Sequence, residues 1–148
     1  MRKFIPIISM FLAVIIVLSC ICIKIMYDRK RLQDEINDMF EYNYQALVLN
    51  MWNMSEHDYD ETYTNQLNLD NTKYGSFITY VFPHTSYANN YVLNNIVLAL
   101  DQASGNDAFT TMVVNHELYT KLMELNNDFS SIEIAEEAYD LLVENEDK

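Results

Sequence analysis

Glycine and proline are scarce in this chain of 148 residues, which contains only two of each. All-β sandwiches and barrels need turn-forming residues at their hairpins, so the scarcity argues against a fold of that class. Gly75 and Gly105 are also too far apart to build a glycine-rich phosphate loop or a nucleophile elbow. Long helices with few, short connections are expected instead.

Basic residues are nearly absent after Leu32. Up to that residue there are six basic residues and one acidic residue, a net charge of +5, whereas the rest of the chain has three lysines against 21 acids, a net charge of −18. Nucleic-acid phosphates and anionic lipid headgroups repel such a domain. We therefore expect no nucleic-acid binding, and a protein partner with a basic surface is the best electrostatic match.

Cysteine is absent beyond residue 22, because Cys20 and Cys22 both lie in an apolar N-terminal stretch. The remainder of the chain can form neither a disulfide framework nor a cysteine-based zinc site.

The N-terminal stretch has the length and composition of a membrane-spanning helix. No charged residue occurs from Phe4 to Ile23, and 20 helical residues span about 30 Å, the thickness of a bilayer core. Tyr27 and the basic residues 29–31 suit the end of the helix at the membrane interface. The pattern predicts a signal-anchor in residues 1–31, with membrane contact through residues 4–26.

Two other interpretations of this stretch remain. The segment ending Leu18-Ser19-Cys20 resembles a bacterial lipobox, which makes Cys20 a candidate lipidation site, although the chain stays apolar after it. A cleaved secretory signal is the third interpretation, and no convincing small-residue cleavage site supports it. Basic residues flank both ends of the apolar stretch, and their number after it is slightly unfavourable for export of the domain. The three residues that precede the stretch are nevertheless typical of a signal-anchor. We expect a single-pass protein of the cell membrane with an extracytoplasmic domain.

Residues 32–148 are predicted to form an acidic, antiparallel bundle of four to five helices. Apolar residues recur at helical spacing up to about Met54, in a helix that continues from the membrane segment. The residues of this stripe are Leu32, Ile36, Met39, Phe40, Leu47, Met51 and Met54. Residues 55–61 form an acidic cluster that predicts a loop and an N-cap.

The middle of the chain is less regular. Residues 59–72 indicate a weaker helix, and residues 71–75 indicate a turn. Residues 76–82 are rich in β-branched and aromatic side chains, which is typical of a buried strand, but they also fit helical steps. A lone strand would have no partner, so we expect a helix that ends before Pro83.

Three further helices complete the expected bundle. The first runs from Tyr91 to Ala103 with Gly105 just beyond its end, and Asn106 or Asp107 caps the second. The stripe of the second helix consists of Phe109, Met112, Val113, His116, Tyr119 and Met123. A capping box from Ser130 to Glu133 opens the last helix. Its inward residues are Ile134, Ala138, Leu141 and Leu142.

The acidic cluster formed by Glu56, Asp58, Asp60 and Glu61 does not fit a calcium loop. Counted from Glu56, the sixth residue is Glu61 instead of glycine, and the twelfth is Leu67 instead of glutamate. The three histidines, His57, His84 and His116, are isolated and have no metal-ligand spacing. We therefore predict no catalytic, metal or cofactor-binding residues, and we expect that the protein is not an enzyme.

Tyrosine is abundant, with 11 residues, and several lie at positions that are not clearly inward. Tyrosine provides contact area at low entropy cost, so we predict a partner-binding surface, although these side chains could equally fill a small core. The candidate residues are Tyr59, Tyr63, Tyr87 and Tyr91. The sequence favours a membrane-anchored protein-interaction module, with an extracytoplasmic small-ligand sensor acting through a membrane partner as the alternative.

Overall fold

The computed structural model describes residues 5–57, 59–105 and 114–146. Within them the chain contains five α-helices that pack against each other and no strand, which confirms the all-α class. The helices are α1 (Ile5–Glu56), α2 (Glu61–Val81), α3 (Tyr91–Gly105), α4 (His116–Asn127) and α5 (Ile132–Glu146), and a 3₁₀ turn, Phe82–His84, follows α2. The chain divides into two compact units, Met1–Glu35 and Ile36–Lys148.

The first unit contains the apolar part of α1. All described side chains from Met10 to Tyr27 are exposed. Among the described residues, α1 is the one helix that is long and apolar enough to cross a membrane. A signal sequence near an N-terminus would meet the same criteria of length and composition.

An aromatic cluster occupies the core of the second unit. The Phe129 ring lies 5.1 Å from Phe40 and 4.9 Å from Tyr44, both in an edge-to-face arrangement. Aliphatic side chains from all five helices surround it, among them Leu47, Val48, Ile78, Leu93, Ile96, Leu100, Leu118, Leu122 and Leu142. Trp52 of α1 stacks on Tyr119 at 4.9 Å and lies 5.6 Å from the His116 ring.

The predicted stripe of α1 is confirmed at Phe40, Leu47 and Met51, which are buried. Leu32 and Met39 are exposed instead, because the buried face follows residues 40, 44, 47, 48 and 51. Tyr44, which the pattern did not place inward, is fully buried, and burial raises the pKa of its hydroxyl.

Helix α2 is longer than the sequence indicates. It begins at Glu61, two residues after the predicted start at Tyr59. The N-cap expected within the acidic cluster is Asp60, whose carboxylate accepts from the backbone N–H of Tyr63 at 3.0 Å. The predicted turn at residues 71–75 is wrong, since the helix runs through it. A Cβ atom at Gly75 would overlap the Ser104 hydroxyl of α3, so this glycine permits close packing of two helices and does not form a turn.

The expected helical conformation of residues 76–81 is confirmed, and α2 ends at Val81, before Pro83. The following loop is attached to α1: the Asn37 amide donates to Ser86 Oγ and its oxygen accepts from the Ser86 backbone N–H, both at 2.9 Å. Asn90 then caps α3 by accepting from the Leu93 N–H at 3.1 Å. Its amide also donates to the Phe129 carbonyl at 3.1 Å, which places the N-termini of α3 and α5 side by side.

Helix α4 begins later than predicted. Its N-cap is Asn115, whose side chain accepts from the Leu118 N–H at 2.8 Å, and the predicted helix is wrong at residues 114 and 115, which are not helical. Leu118, Leu122 and Leu125 form its buried face, whereas His116 is exposed. Asn106, Asp107 and residues 109–113 lie outside the described residues.

The start of α5 differs from the predicted capping box by one residue. Ser131 is the capping residue, accepting from the Ile134 N–H at 3.3 Å, while the Ser130 hydroxyl donates to Asp128 at 2.5 Å. The inward positions are confirmed, with Ala138 and Leu142 buried and Ile134 and Leu141 packed against the core. Gly105 is likewise the last residue of α3 and not the residue after it.

Candidate interaction surfaces

Tyr59 and Tyr63 form a small aromatic surface at the start of α2. Their ring centroids lie 4.7 Å apart, and the His57 ring lies 5.6 Å from Tyr59. Tyr63 is exposed and Tyr59 is half-buried. Exposed Glu61 lies in the same segment. We call Tyr59 and Tyr63 the tyrosine pair; it offers flat apolar area beside negative charge.

Tyr87 packs against the core of the domain, unlike the tyrosine pair. Its ring lies 5.2 Å from Phe129 and 6.2 Å from Phe40, and its hydroxyl donates to the Glu41 carboxylate at 2.5 Å. Burial, and then the hydrogen bond to Glu41, raise the pKa of Tyr87 to about 12. The Tyr87 hydroxyl is therefore engaged within the domain, and its partly buried ring packs against the core.

Tyr91 is the exposed first residue of α3. It lies beyond the C-terminal end of α2, whereas the tyrosine pair lies at the N-terminal end of that helix. The 21 residues of α2 span about 30 Å. The structure thus brings Tyr59 and Tyr63 together but separates them from Tyr87 and Tyr91.

A groove between α3 and α5 was not found from the sequence. It has a volume of about 270 Å³ and an apolar floor at Leu142. Its remaining lining residues are Asn95, Leu98, Ala99, Gln102, Tyr139 and Val143. The sequence signal for it was the presence of Leu98, Tyr139 and Val143 outside the inward stripes of these two helices.

Both lysines in the described part of the domain are paired with acids. Lys121 of α4 lies 2.8 Å from Glu124 and 2.8 Å from Glu137 of α5, and these hydrogen bonds raise its pKa. Lys73 lies 3.1 Å from Asp70, whose pKa is lowered by hydrogen bonds from Gln66 and Lys73. The described acidic surface is therefore not interrupted by an unpaired lysine.

Cys20 and Cys22 are free and exposed on the apolar part of α1. The preceding Ser19 hydroxyl donates to the Ile15 carbonyl at 2.8 Å, so the residues around Cys20 are helical. Lipidation of Cys20 stays a prediction.

The predicted acidic cluster is divided among different local roles. Asp60 caps α2, Glu56 ends α1, and Asp58 lies outside the described residues. Across the described residues, no three histidine, cysteine, aspartate or glutamate side chains are grouped in a way that could hold a metal ion.

Comparisons of the chain with protein-family models, with curated proteins and with solved structures gave no match. The function is therefore inferred from the molecule's own surface: the apolar part of α1, the acidic domain, the tyrosine pair and the α3–α5 groove.

Proposed function

We propose that this protein is a membrane-anchored protein-interaction module. In this proposal residues 1–31 hold the chain in the cell membrane as a single-pass signal-anchor, and residues 32–148 form a helical bundle on the extracytoplasmic side. The bundle binds a protein with a basic surface, and the chain acts as its accessory, adaptor or protective subunit.

The observation that carries the proposal is the exposure of the apolar part of α1. Every described side chain from Met10 to Tyr27 faces outward, and contiguous apolar surface of this extent needs a bilayer or a partner to cover it. The charge of −18 from Gln33 onward keeps the following domain soluble and repels it from anionic headgroups.

The acidic surface supports a basic partner through long-range attraction. Opposite charge speeds the encounter of two proteins, and salt weakens that attraction beyond about 8 Å at physiological ionic strength. Buried aromatic contacts, by contrast, mainly determine how slowly a complex dissociates. The exposed Tyr63, packed on Tyr59, is suited to such a contact.

The shape of the described surface favours a protein partner over a small ligand. Small-molecule sites are cavities of about 300–1,000 Å³ that enclose most of the ligand. The α3–α5 groove has a volume of about 270 Å³ and is lined on both sides by helix surface. A larger depression of about 790 Å³, lined by Asp60, Glu61, Thr62, Tyr63 and Gln66, falls in that range but is widely open to solvent and would not enclose a ligand. A helix or loop of a partner fits such a surface better than an enclosed ligand does.

Protease treatment of intact cells tests the anchor and its orientation. A C-terminally tagged chain should sediment with membranes after alkaline carbonate washing, and external protease should remove the tag. A tag that is cleaved only after the cells are lysed would place the domain inside. Release by carbonate would contradict the anchor.

Cross-linking in membranes identifies the partner. The kinetics of its association with this protein then test the interaction. The association rate should fall as salt rises, while the dissociation rate should change little. Tyr63→Ala should speed dissociation by about tenfold, whereas Tyr80→Ala, which removes an exposed tyrosine near the other end of α2, should leave it unchanged. An association rate that does not respond to salt would leave the acidic surface without a role in binding.

A further inference from the structure

The walls of the α3–α5 groove carry apolar side chains that no other described element covers. Leu98 of α3 is 41% exposed and Val143 of α5 is 39% exposed, and Tyr139 of α5 is a half-buried residue of the same lining. The fully packed Leu142 closes the floor. Leu98, Tyr139 and Val143 thus give the groove an apolar strip, while Asn95 and Gln102 make the rest of its lining polar.

The two walls run in the same direction and have helical spacing. The N-termini of α3 and α5 are joined through Asn90, and farther along Leu98 and Gln102 face Tyr139 and Val143. Tyr91, Asn95, Leu98 and Gln102 recur at steps of three and four residues, as do Glu136, Tyr139 and Val143. The α3 wall from Asn95 to Gln102 extends about 10 Å, enough for roughly two turns of a docked helix.

The charges around the groove are negative. Glu136 lies on the same helical line as Tyr139 and Val143, and exposed Asp140 adjoins it. The amides of Asn95 and Gln102 line the opposite wall. An occupant therefore needs apolar side chains in its centre and basic side chains on its flank.

We propose that the α3–α5 groove binds an amphipathic α-helix with basic flanks from the protein partner. The occupant is a helix because the groove is bounded by two helices whose side chains form ridges that another helix can interlock with. This inference rests on the proposed function, and it identifies the α3–α5 groove as a binding surface and a helix as the part of the partner that binds there.

A synthetic helical peptide provides the probe. It carries leucines at positions i, i+3, i+4 and i+7 with lysines on the flanks, and a matched peptide carries glutamate in place of each lysine. Calorimetric titration uses the full chain in nonionic micelles, with protein-free micelles as the blank. A photoreactive residue in place of one leucine identifies the contacted segment by mass spectrometry.

The variants separate the groove from the rest of the surface. Leu98→Gln and the nearly isosteric Val143→Thr should each weaken binding of the lysine peptide by about five- to tenfold. Leu69→Gln is the matched control, because Leu69 is 59% exposed on α2, away from the groove, and it should leave the affinity unchanged. Far-UV circular dichroism checks that each variant keeps its helical content.

Cross-links confined to residues 91–102 and 132–143, together with at least tenfold weaker binding of the glutamate peptide, would support the inference. Equal effects of Leu98→Gln and Leu69→Gln, cross-links at the tyrosine pair, or no binding of either peptide would overturn it. An oligomer that Leu98→Gln converts to a monomer would also overturn it, because a second copy would then occupy the groove. Different results would contradict the proposed function: a chain that does not attach to membranes, or an association with the native partner that does not depend on salt.

Discussion

The hydroxyl group of Tyr44 in α1 donates a hydrogen bond to the backbone carbonyl oxygen of Leu122 in α4, at 3.2 Å. Because the side chain is fully buried, Tyr44→Phe should lower the free energy of unfolding by about 1 kcal/mol. Tyr42→Phe on the same helix is the control, since Tyr42 is 67% exposed, and its effect should stay below about 0.5 kcal/mol. Urea unfolding followed by circular dichroism measures both; equal effects would contradict this role of Tyr44.

The hydrogen bond from Tyr87 to Glu41 should make stability depend on alkaline pH. The folded-state pKa of Tyr87, about 12, lies above the ordinary value of 10.0, so its contribution is complete below pH 10 and is lost as the pH rises through 12. Tyr87→Phe should therefore cost about 1 kcal/mol at pH 8, and the difference from the wild type should shrink toward pH 11.5. Unfolding curves of both proteins across this range provide the test, and a constant difference would contradict it.

Gly75→Ala should destabilise the contact between α2 and α3. Alanine favours a helix by about 1 kcal/mol over glycine, but the new methyl group would overlap the Ser104 hydroxyl and lie 3.0 Å from its Cβ atom. We expect a net loss of about 1–2 kcal/mol in unfolding free energy. The cost should be smaller when Ser104→Ala is already present, and strict additivity in this double-mutant cycle would show that the two residues do not clash.

Deletion of residues 1–31 should leave a soluble, mainly helical domain. The described core is built from residues 40–142, and the negative charge of this part favours solubility. Far-UV circular dichroism and sedimentation of the fragment are the measurements. A spectrum dominated by β-structure, or an insoluble fragment, would be the contrary result.

Cys20→Ala should leave membrane attachment unchanged. The uncharged run from Phe4 to Ile23 is long enough to hold the chain without a lipid. Membrane fractionation combined with metabolic lipid labelling tests this. Release of the variant, together with loss of a label present on the wild type, would favour the lipoprotein interpretation.

Helix positions with strong apolar periodicity could be predicted from the sequence. Phe40, Leu47 and Met51 of α1 and the inward residues Ala138 and Leu142 of α5 were found this way, because side chains repeating every 3.6 residues lie on one face of a helix. Caps were less certain: Asp60 was anticipated within its acidic cluster, but Ser131 rather than Ser130 caps α5. Two adjacent serines offer nearly the same local chemistry, and packing decides between them.

Features that depend on contact between distant segments could not be predicted. Gly75 is typical of a turn in isolation, and only the approach of Ser104, 29 residues later, explains its place inside α2. The groove arises because α3 and α5 lie side by side, a neighbour relation that neither helix encodes alone. The four candidate tyrosines lie in separate environments, since the length of α2 separates Tyr63 from Tyr87.

The stacking of Trp52 on Tyr119 gives the protein a built-in optical reporter. Trp52 is the only tryptophan, so all indole emission comes from the place where the end of α1 meets the start of α4. Separation of these helices would expose the indole to water and shift its emission to longer wavelength. Changes at this helix contact can therefore be followed in the intact chain without attaching a dye.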